Sequence, residues 1–482
     1  MNRIILIFLI LLINLYGDFI DYSDSVVFCN NTYYTTGTAW EYVMTNNFLL
    51  KKDTIPDLLM TNLEIGNPKR EFYNNTEDGS VNLGPELKAN KGLFSIEYGG
   101  GKNPIIANIN HDKNYDFMYI IRGLIQIYYD LDIPNKIINS NNHIPKKYSS
   151  NLSTYAISDF DNDNYPDFVL GYKLQKPEVY LSSVKGFVNL DIPKDFDISG
   201  EIAKILVFDY NNDSFKDIYF ICSNGQNLFF KNNGNGSFSK DLACDLGIDD
   251  PGDGHCGAIA DINNDGFTDI IVGNYGISRL FINNNGEGFI DKTFEYNFIV
   301  TSYVNDIAIG DYDNDGFDDI YFACGKNQKS DENNRNIFIK NSGGSSFQRL
   351  DNITTQDIDY STNADFIDYD KDGNLDLFIA NYGKNKLFLN KSGNKNFIRI
   401  FFQPLNKNIL SFTSIVKVRN QSGTFFKRIE LSLNSQPVTS FLVGGITSDT
   451  EDYTIEIENP LLESPIEKTA KKGETIVIYN IY

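Results

Sequence analysis

The sequence predicts an all-β chain: a seven-bladed β-propeller followed by a small C-terminal β-sandwich-like domain. Three observations predict it. An acidic nine-residue motif recurs at a nearly constant period. Each copy is followed by the same strand-and-hairpin pattern. From residue 396 the motif stops, and short alternating strands take over.

The motif is D-x-[DN]-x-D-[GN]-x-x-D. It reads DFDNDNYPD at 159–167, DYNNDSFKD at 209–217, DINNDGFTD at 261–269, DYDNDGFDD at 311–319 and DYDKDGNLD at 368–376. A weaker copy, NINHDKNYD, stands at 108–116, and a decayed one, LLKKDTIPD, at 49–57. The seven starts lie 59, 51, 50, 52, 50 and 57 residues apart, a period that marks a repeat architecture. After each copy comes an apolar run such as DIYFIC, DIIVGN or DLFIAN, suited to a strand buried on both faces. A pattern such as RLFINNNGEGF (279–289) follows, two strands joined by an Asn/Gly turn. Each repeat thus supplies about four strands, the content of one propeller blade. The segment before Leu49 (VVFCNNTYYTTGTAWEYV) is a natural donor to the last blade.

The spacing has a chemical logic. In a tight loop the side chains at positions 1, 3 and 5 converge, position 7 offers a backbone carbonyl, and position 9 closes the shell with a carboxylate. All-oxygen ligands on a flexible loop select a hard cation, and Ca²⁺ suits this ligand number better than Mg²⁺. Gly at position 6 permits a left-handed backbone. Five calcium sites are expected on this basis. Their ligands are Asp159, Asp161, Asp163, Tyr165 and Asp167; Asp209, Asn211, Asp213, Phe215 and Asp217; Asp261, Asn263, Asp265, Phe267 and Asp269; Asp311, Asp313, Asp315, Phe317 and Asp319; and Asp368, Asp370, Asp372, Asn374 and Asp376. Tyr165, the three Phe and Asn374 contribute through the backbone. Lys113 sits inside the copy at 108–116, and Leu49 and Lys51 replace ligands in the first copy, where no metal is expected.

The N-terminus reads MNRIILIFLILLINLYGD: one Arg and then a 12-residue apolar run, the length of a signal-peptide core. Residues 1–17 are read as a signal peptide, with an uncleaved anchor as the alternative; residues 18–395 as the propeller; residues 396–482 as the C-terminal β domain. The chain has 482 residues and a formal net charge of −22, which argues against nucleic acid as partner and for cations or basic surfaces. No transmembrane span is expected in the mature chain. Of the five cysteines, Cys222 and Cys324 fall at the same repeat position and read as separate buried thiols. Cys244 and Cys256 straddle one inter-blade connection and stand open between disulfide and free thiols; Cys29 is free or bonded to a partner. The three histidines form no metal pair and no nucleophile motif, and His255, in GDGHCG, could line a face of the ring as a base.

On these motifs the sequence resembles the FG-GAP/VCBS repeat proteins, whose propeller also forms the head of integrin alpha chains. The region after Lys395 is similar to an ASPIC/UnbV-type domain: NFIRIFF (396–402), VKV (416–418), SFLVGG (440–445) and IEIENP (455–460) carry the match. Asn459-Pro460 stands where that domain has Trp-Pro, and Val443-Gly444-Gly445 replaces its G-L-G. The combination looks most like the cartilage acidic protein group. The resemblance implies extracellular calcium binding and contact with a protein or glycan, with no catalytic residues. The sequence therefore reads as a secreted or surface-exposed, non-enzymatic recognition or adhesion protein. A polysaccharide lyase or hydrolase on the same scaffold is the rival, since fold does not dictate chemistry. A structural subunit of a surface complex is the third reading.

Overall fold

The structure, a computed structural model, describes the strands from Phe19 to Asn139 and, with short gaps, residues 149–479. The copies at 49–57 and 108–116 fall largely outside the described residues, as does Cys29.

Among the described residues, seven antiparallel sheets of three or four strands follow one another along the chain. In sequence order their first strands are Tyr34–Glu41, Lys102–Ala107, Leu152–Ser158, Glu201–Phe208, Gly254–Ala260, Val304–Gly310 and Ser361–Ile367. Each first strand lies beside the first strand of the next sheet, and the last lies beside the first, so the sheets form a ring with these strands innermost. Strands 1 and 2 of a blade are joined by the acidic loop: Ala260 pairs with Asp269 and Gly310 with Asp319 on either side of it.

Second strands such as Asp269–Asn274, Asp319–Cys324 and Asp376–Asn381 are buried along their whole length. Their apolar residues leave the blade on both sides. Ile271 and Leu280 of the fifth blade pack with Ile307, Ile320 and Phe322 of the sixth in one core, and similar cores fill the other interfaces. Burying each Phe or Ile this way contributes about 1.5–3 kcal/mol, so the stability of the ring resides between blades as much as within them.

Ring closure corrects the sequence reading. Tyr34–Glu41 is the inner strand of the first blade, not a donor. The donor lies further upstream: Phe19–Asp21 pairs antiparallel with Lys386–Asn390 and completes the last blade. Phe19 is buried and stacks on Tyr312 with centroids 5.9 Å apart. Pairing is decided by which strand edge remains open after the ring forms, and local sequence does not carry that information.

The C-terminal region forms two sheets, one of Ile398–Gln403, Ser440–Val443 and Thr475–Tyr479, the other of Ile415–Arg419, Phe425–Glu430, Tyr453–Glu458 and Ile466–Ala470. Ile398, Ile400, Val416, Val418, Val443, Ile455 and Ile457 make their common core. The strand Ile466–Ala470 has no apolar alternation, because charged residues (IEKTA) mask it.

Candidate metal centres and the domain that covers them

The five described acidic loops share one hydrogen-bond scheme. In the three middle loops the position-1 carboxylate accepts from the backbone N–H of positions 5 and 6: Asp311 takes Asp315 at 2.9 Å and Gly316 at 2.7 Å, Asp261 takes Asp265 at 2.9 Å and Gly266 at 3.0 Å, and Asp209 takes Asp213 and Ser214; Asp159 takes Asp163 at 3.0 Å, and Asp368 takes Gly373 at 3.2 Å. The position-5 carboxylate accepts from position 7, as in Asp163–Tyr165, Asp213–Phe215, Asp265–Phe267, Asp315–Phe317 and Asp372–Asn374. At position 9 the carboxylate spans the blade. Asp167, Asp217, Asp269, Asp319 and Asp376 each accept from the position-2 N–H and from an N–H at the end of the third strand, for example Ile262 at 2.8 Å and Asn283 at 2.7 Å on Asp269. These backbone bonds turn the side chains at positions 1, 3, 5 and 9 inward.

One carboxylate oxygen from each of Asp159, Asp161 and Asp167 lies within 4.8 Å of the others, and the same holds for Asp311, Asp313 and Asp315 and for Asp368, Asp370 and Asp376. The loops at 209–217 and 261–269 carry Asn at position 3, and there Asn211 and Asn263 donate to Asp213 and Asp265 at 3.0 and 2.8 Å. Position 6 is left-handed throughout the loops where it is described, at Ser214, Gly266, Gly316 and Gly373 (φ 71°, 92°, 100°, 88°).

The donor set fits a bound cation. Burial among other acids pushes Asp261 and Asp311 up to about 7 and Asp368 to about 6, and the position-9 carboxylates rise well above the ordinary range for the same reason. A divalent ion would hold such groups ionised. Asp368 Oδ1 is buried without a hydrogen-bond partner, the kind of atom a metal satisfies. The chain also supplies cations of its own: Lys231 lies 3.2 Å from Asp213, Lys340 bridges Asp313 and Asp315 (2.9 Å to the latter), and Lys391 bridges Asp370 and Asp372 (3.2 Å to the latter).

Two sets of contacts went unread in the sequence. The position-4 Asn of one loop donates to the position-6 carbonyl of the next: Asn162 to Ser214 at 3.3 Å, Asn212 to Gly266 at 3.2 Å, Asn264 to Gly316 at 2.9 Å, Asn314 to Gly373 at 3.0 Å. All four have φ between 55° and 59°. At the end of the third strand Asn232, Asn283, Asn341 and Asn390 donate backwards to the position-2 carbonyl of the preceding loop at 2.6–2.9 Å. The Asn recurring at each of these positions in four repeats was the available signal, obscured by an Asn-rich chain.

The second set is the docking of the C-terminal domain on this loop face. The strand Phe425–Glu430 presents three buried charged groups to three neighbouring loops, each at position 8. Lys427 pairs with Asp318 at 2.8 Å. Glu430 pairs with Lys216 and accepts from Thr268 at 2.9 Å and from the Asp209 N–H at 2.8 Å. Arg428 donates to Asn212 at 3.1 Å and also contacts Thr268 and Glu430. Burial works against a charge on Glu430, yet Lys216 and Arg428 hold its carboxyl down at about 2. Burial likewise opposes the Lys427 charge, but Asp318, Asp311 and Asp261 push its amine up. Arg399 pairs with Asp368, and Gly444 approaches so closely that a Cβ there would overlap the Asp311 carboxylate. Position 8 varies from repeat to repeat (Pro166, Lys216, Thr268, Asp318, Leu375), and in three blades this position meets the C-terminal domain.

Cys222 and Cys324 are buried on separate blades, and neither they nor Cys244, which is exposed, nor the buried Cys256 form a disulfide among the described residues. His255 opens the inner strand of the fifth blade, at the end opposite the acidic loop. There it stacks on Tyr275 with centroids 3.5 Å apart and lies 3.2 Å from Asp253. Burial pushes the imidazole down, against the pull of Asp253. Tyr303 meets Tyr275 edge to face, and the Lys326 amine lies 4.4 Å from the Tyr303 ring centre. A lysine, a histidine and tyrosines thus gather beside the ring axis.

Known proteins bear on these features. FG-GAP-like repeats match residues 209–272, 261–322 and 311–379, so the chain carries these repeats across its fourth to seventh blades. Cartilage acidic protein 1 of Homo sapiens is 30% identical over 259 residues, 50% of this chain and 39% of that protein. The Mus musculus protein of that name is 31% identical over 175 residues, 35% of this chain and 27% of its own length. The chain thus spans well under half of the curated relatives it matches. Among solved structures, an Agrocybe aegerita lectin described as recognising non-reducing terminal N-acetylglucosamine is 13% identical, with a TM-score of 0.43 over 88% of this chain and 98% of that one.

Proposed function

We propose that this chain is an exported, calcium-stabilised propeller that recognises a protein or glycan at a surface and performs no catalysis. Residues 1–17 would act as the export signal, 18–395 as the propeller and 396–482 as the domain docked on it. The observation that carries the reading is the convergence of carboxylates in the repeated loops, buried at position 1: three groups of Asp lie within reach of a single ion. Calcium would be held by Asp159, Asp161, Asp163 and Asp167 and by their counterparts in the other four loops, neutralising acids that burial otherwise drives to protonate. Bound there, the ion supplies order, not chemistry, because the loop side chains face it and the C-terminal domain docks against four of the five loops. The FG-GAP-like repeats and the similarity to cartilage acidic protein 1 support an extracellular setting.

Thermal unfolding of the chain in EGTA and in millimolar calcium tests this. A large calcium-specific rise in midpoint supports it; an unchanged midpoint overturns it. A second reading, a polysaccharide-active enzyme, is favoured by one observation, the grouping of His255, Tyr275 and Lys326 opposite the loops. Incubation with polyuronates, followed by a search for unsaturated or reducing ends, decides between them; product that disappears in His255→Ala would establish the enzyme.

A further inference from the structure

The two mouths of the ring differ. The C-terminal domain covers acidic loops at one. At the other, blades five, six and seven bring polar aromatic residues together at the ends of their inner strands. Tyr275 follows the second strand of blade five, and Tyr303 precedes the first strand of blade six; the two are bridged through their backbones and meet edge to face at 5.2 Å. Tyr360 precedes the first strand of blade seven, Tyr382 follows its second, and these rings stack at 6.3 Å. All four are half-buried, unlike the Phe residues that fill the blade interfaces.

Tyr275 is anchored at its hydroxyl. The Tyr275 hydroxyl donates to Asn305 Oδ1 at 2.8 Å. Asn305 donates in turn to the Gly325 and Ser361 carbonyls at 2.7 and 2.8 Å, tying blades five, six and seven. His255 is clamped between the Tyr275 face and Asp253. Lys326 is exposed, with its amine over the rings of Tyr303 and Tyr275 at 4.4 and 5.6 Å. A fixed, half-wet aromatic platform costs little to order on binding. Its members are aromatic or polar, which suits a ligand with a flat C–H face and a rim of hydroxyls better than an aliphatic side chain.

We propose that this mouth is a saccharide-binding site for a pyranose ring bearing an anionic group. The C–H face of the sugar would lie on Tyr303, with the near-perpendicular Tyr275 ring beside it, the anionic substituent would meet the Lys326 amine, and ring hydroxyls would bond to His255 and Asp253. The proposal rests on the recognition reading above and names its ligand class.

The test uses the full chain in calcium, with a glucuronate-terminated disaccharide and its glucose-terminated counterpart as probes, by calorimetry and saturation-transfer NMR. The acidic sugar should bind roughly tenfold more tightly than the neutral one. Lys326→Gln should abolish that preference, and Tyr303→Ala should weaken both sugars by roughly tenfold. Unfolding midpoints serve as the control; if Tyr303→Ala lowers the midpoint, Lys326→Gln, at an exposed position, carries the test alone. Equal affinity for the two sugars, or a preference that survives Lys326→Gln, overturns the proposal. If neither sugar binds while the chain still adheres to cell surfaces stripped of glycans, the site fails and recognition stands. If it adheres to no surface, recognition fails as well.

Discussion

The two faces of the ring are built from the same strands and have opposite characters. On the loop face, the carboxylates at positions 1 and 9 are buried, and a domain docks on it through Lys427, Arg428 and Glu430. On the other face, tyrosines and Lys326 keep part of their surface in water. The strands hold both ends rigid, so the difference lies in what each end must satisfy. Buried charge has to be matched by opposite charge or metal, whereas half-exposed aromatic rings stay available to a ligand.

The largest expected effect falls on the loop face. Calcium that binds only the folded chain adds about 2.7 kcal/mol per site at a hundredfold excess over Kd, so five loops should move the unfolding midpoint far more than any substitution does. A midpoint indifferent to EGTA would erase the proposed difference between the faces. Next comes Glu430→Ala. It leaves Lys216 and Arg428 buried without their carboxylate, which costs about 3–5 kcal/mol. Differential scanning calorimetry should show the loss, and limited proteolysis should cut between residues 391 and 414 if docking rests on this cluster. Phe19→Asp should cost about 3–5 kcal/mol, because it places a charge against Tyr312 and Phe338 where the ring closes. Chemical denaturation would register it, and an unchanged midpoint would mean that Phe19–Asp21 does not hold the last blade. The smallest effect sharpens the picture within the loop face. Lys340 occupies the carboxylates at positions 3 and 5 of its loop, so Lys340→Met should raise calcium affinity there by a few-fold, through removal of a competing partly exposed ion pair worth up to about 1 kcal/mol. Terbium luminescence with the tyrosines as donors would report it, and lower affinity would show that the amine assists the site.

Much of the fold is legible in the chain because a repeat states each rule several times. The period near 50, the buried second strand and the Asn/Gly hairpin are local patterns, and each maps onto an observed sheet. The loops were legible for the same reason: short-range Asx geometry places positions 1, 3, 5 and 9 once the loop closes. The donor strand was misread because Phe19–Asp21 pairs with Lys386–Asn390, hundreds of residues away, and three residues hold no periodicity. The docking cluster was missed because Lys427, Arg428 and Glu430 look like the solvated face of an edge strand. Only the position of that strand over Lys216, Thr268 and Asp318 makes them buried partners.

By itself the sequence determined the repeating blade, the acidic loop and the change of pattern at residue 396, since each follows from side-chain spacing within a few residues. The tertiary structure decided which strand closes the ring, which loops are linked through Asn162, Asn212, Asn264 and Asn314, and which mouth is covered. Those outcomes depend on where distant groups meet and on the cost of leaving buried charges and open strand edges unmatched, quantities that exist only once the chain has folded.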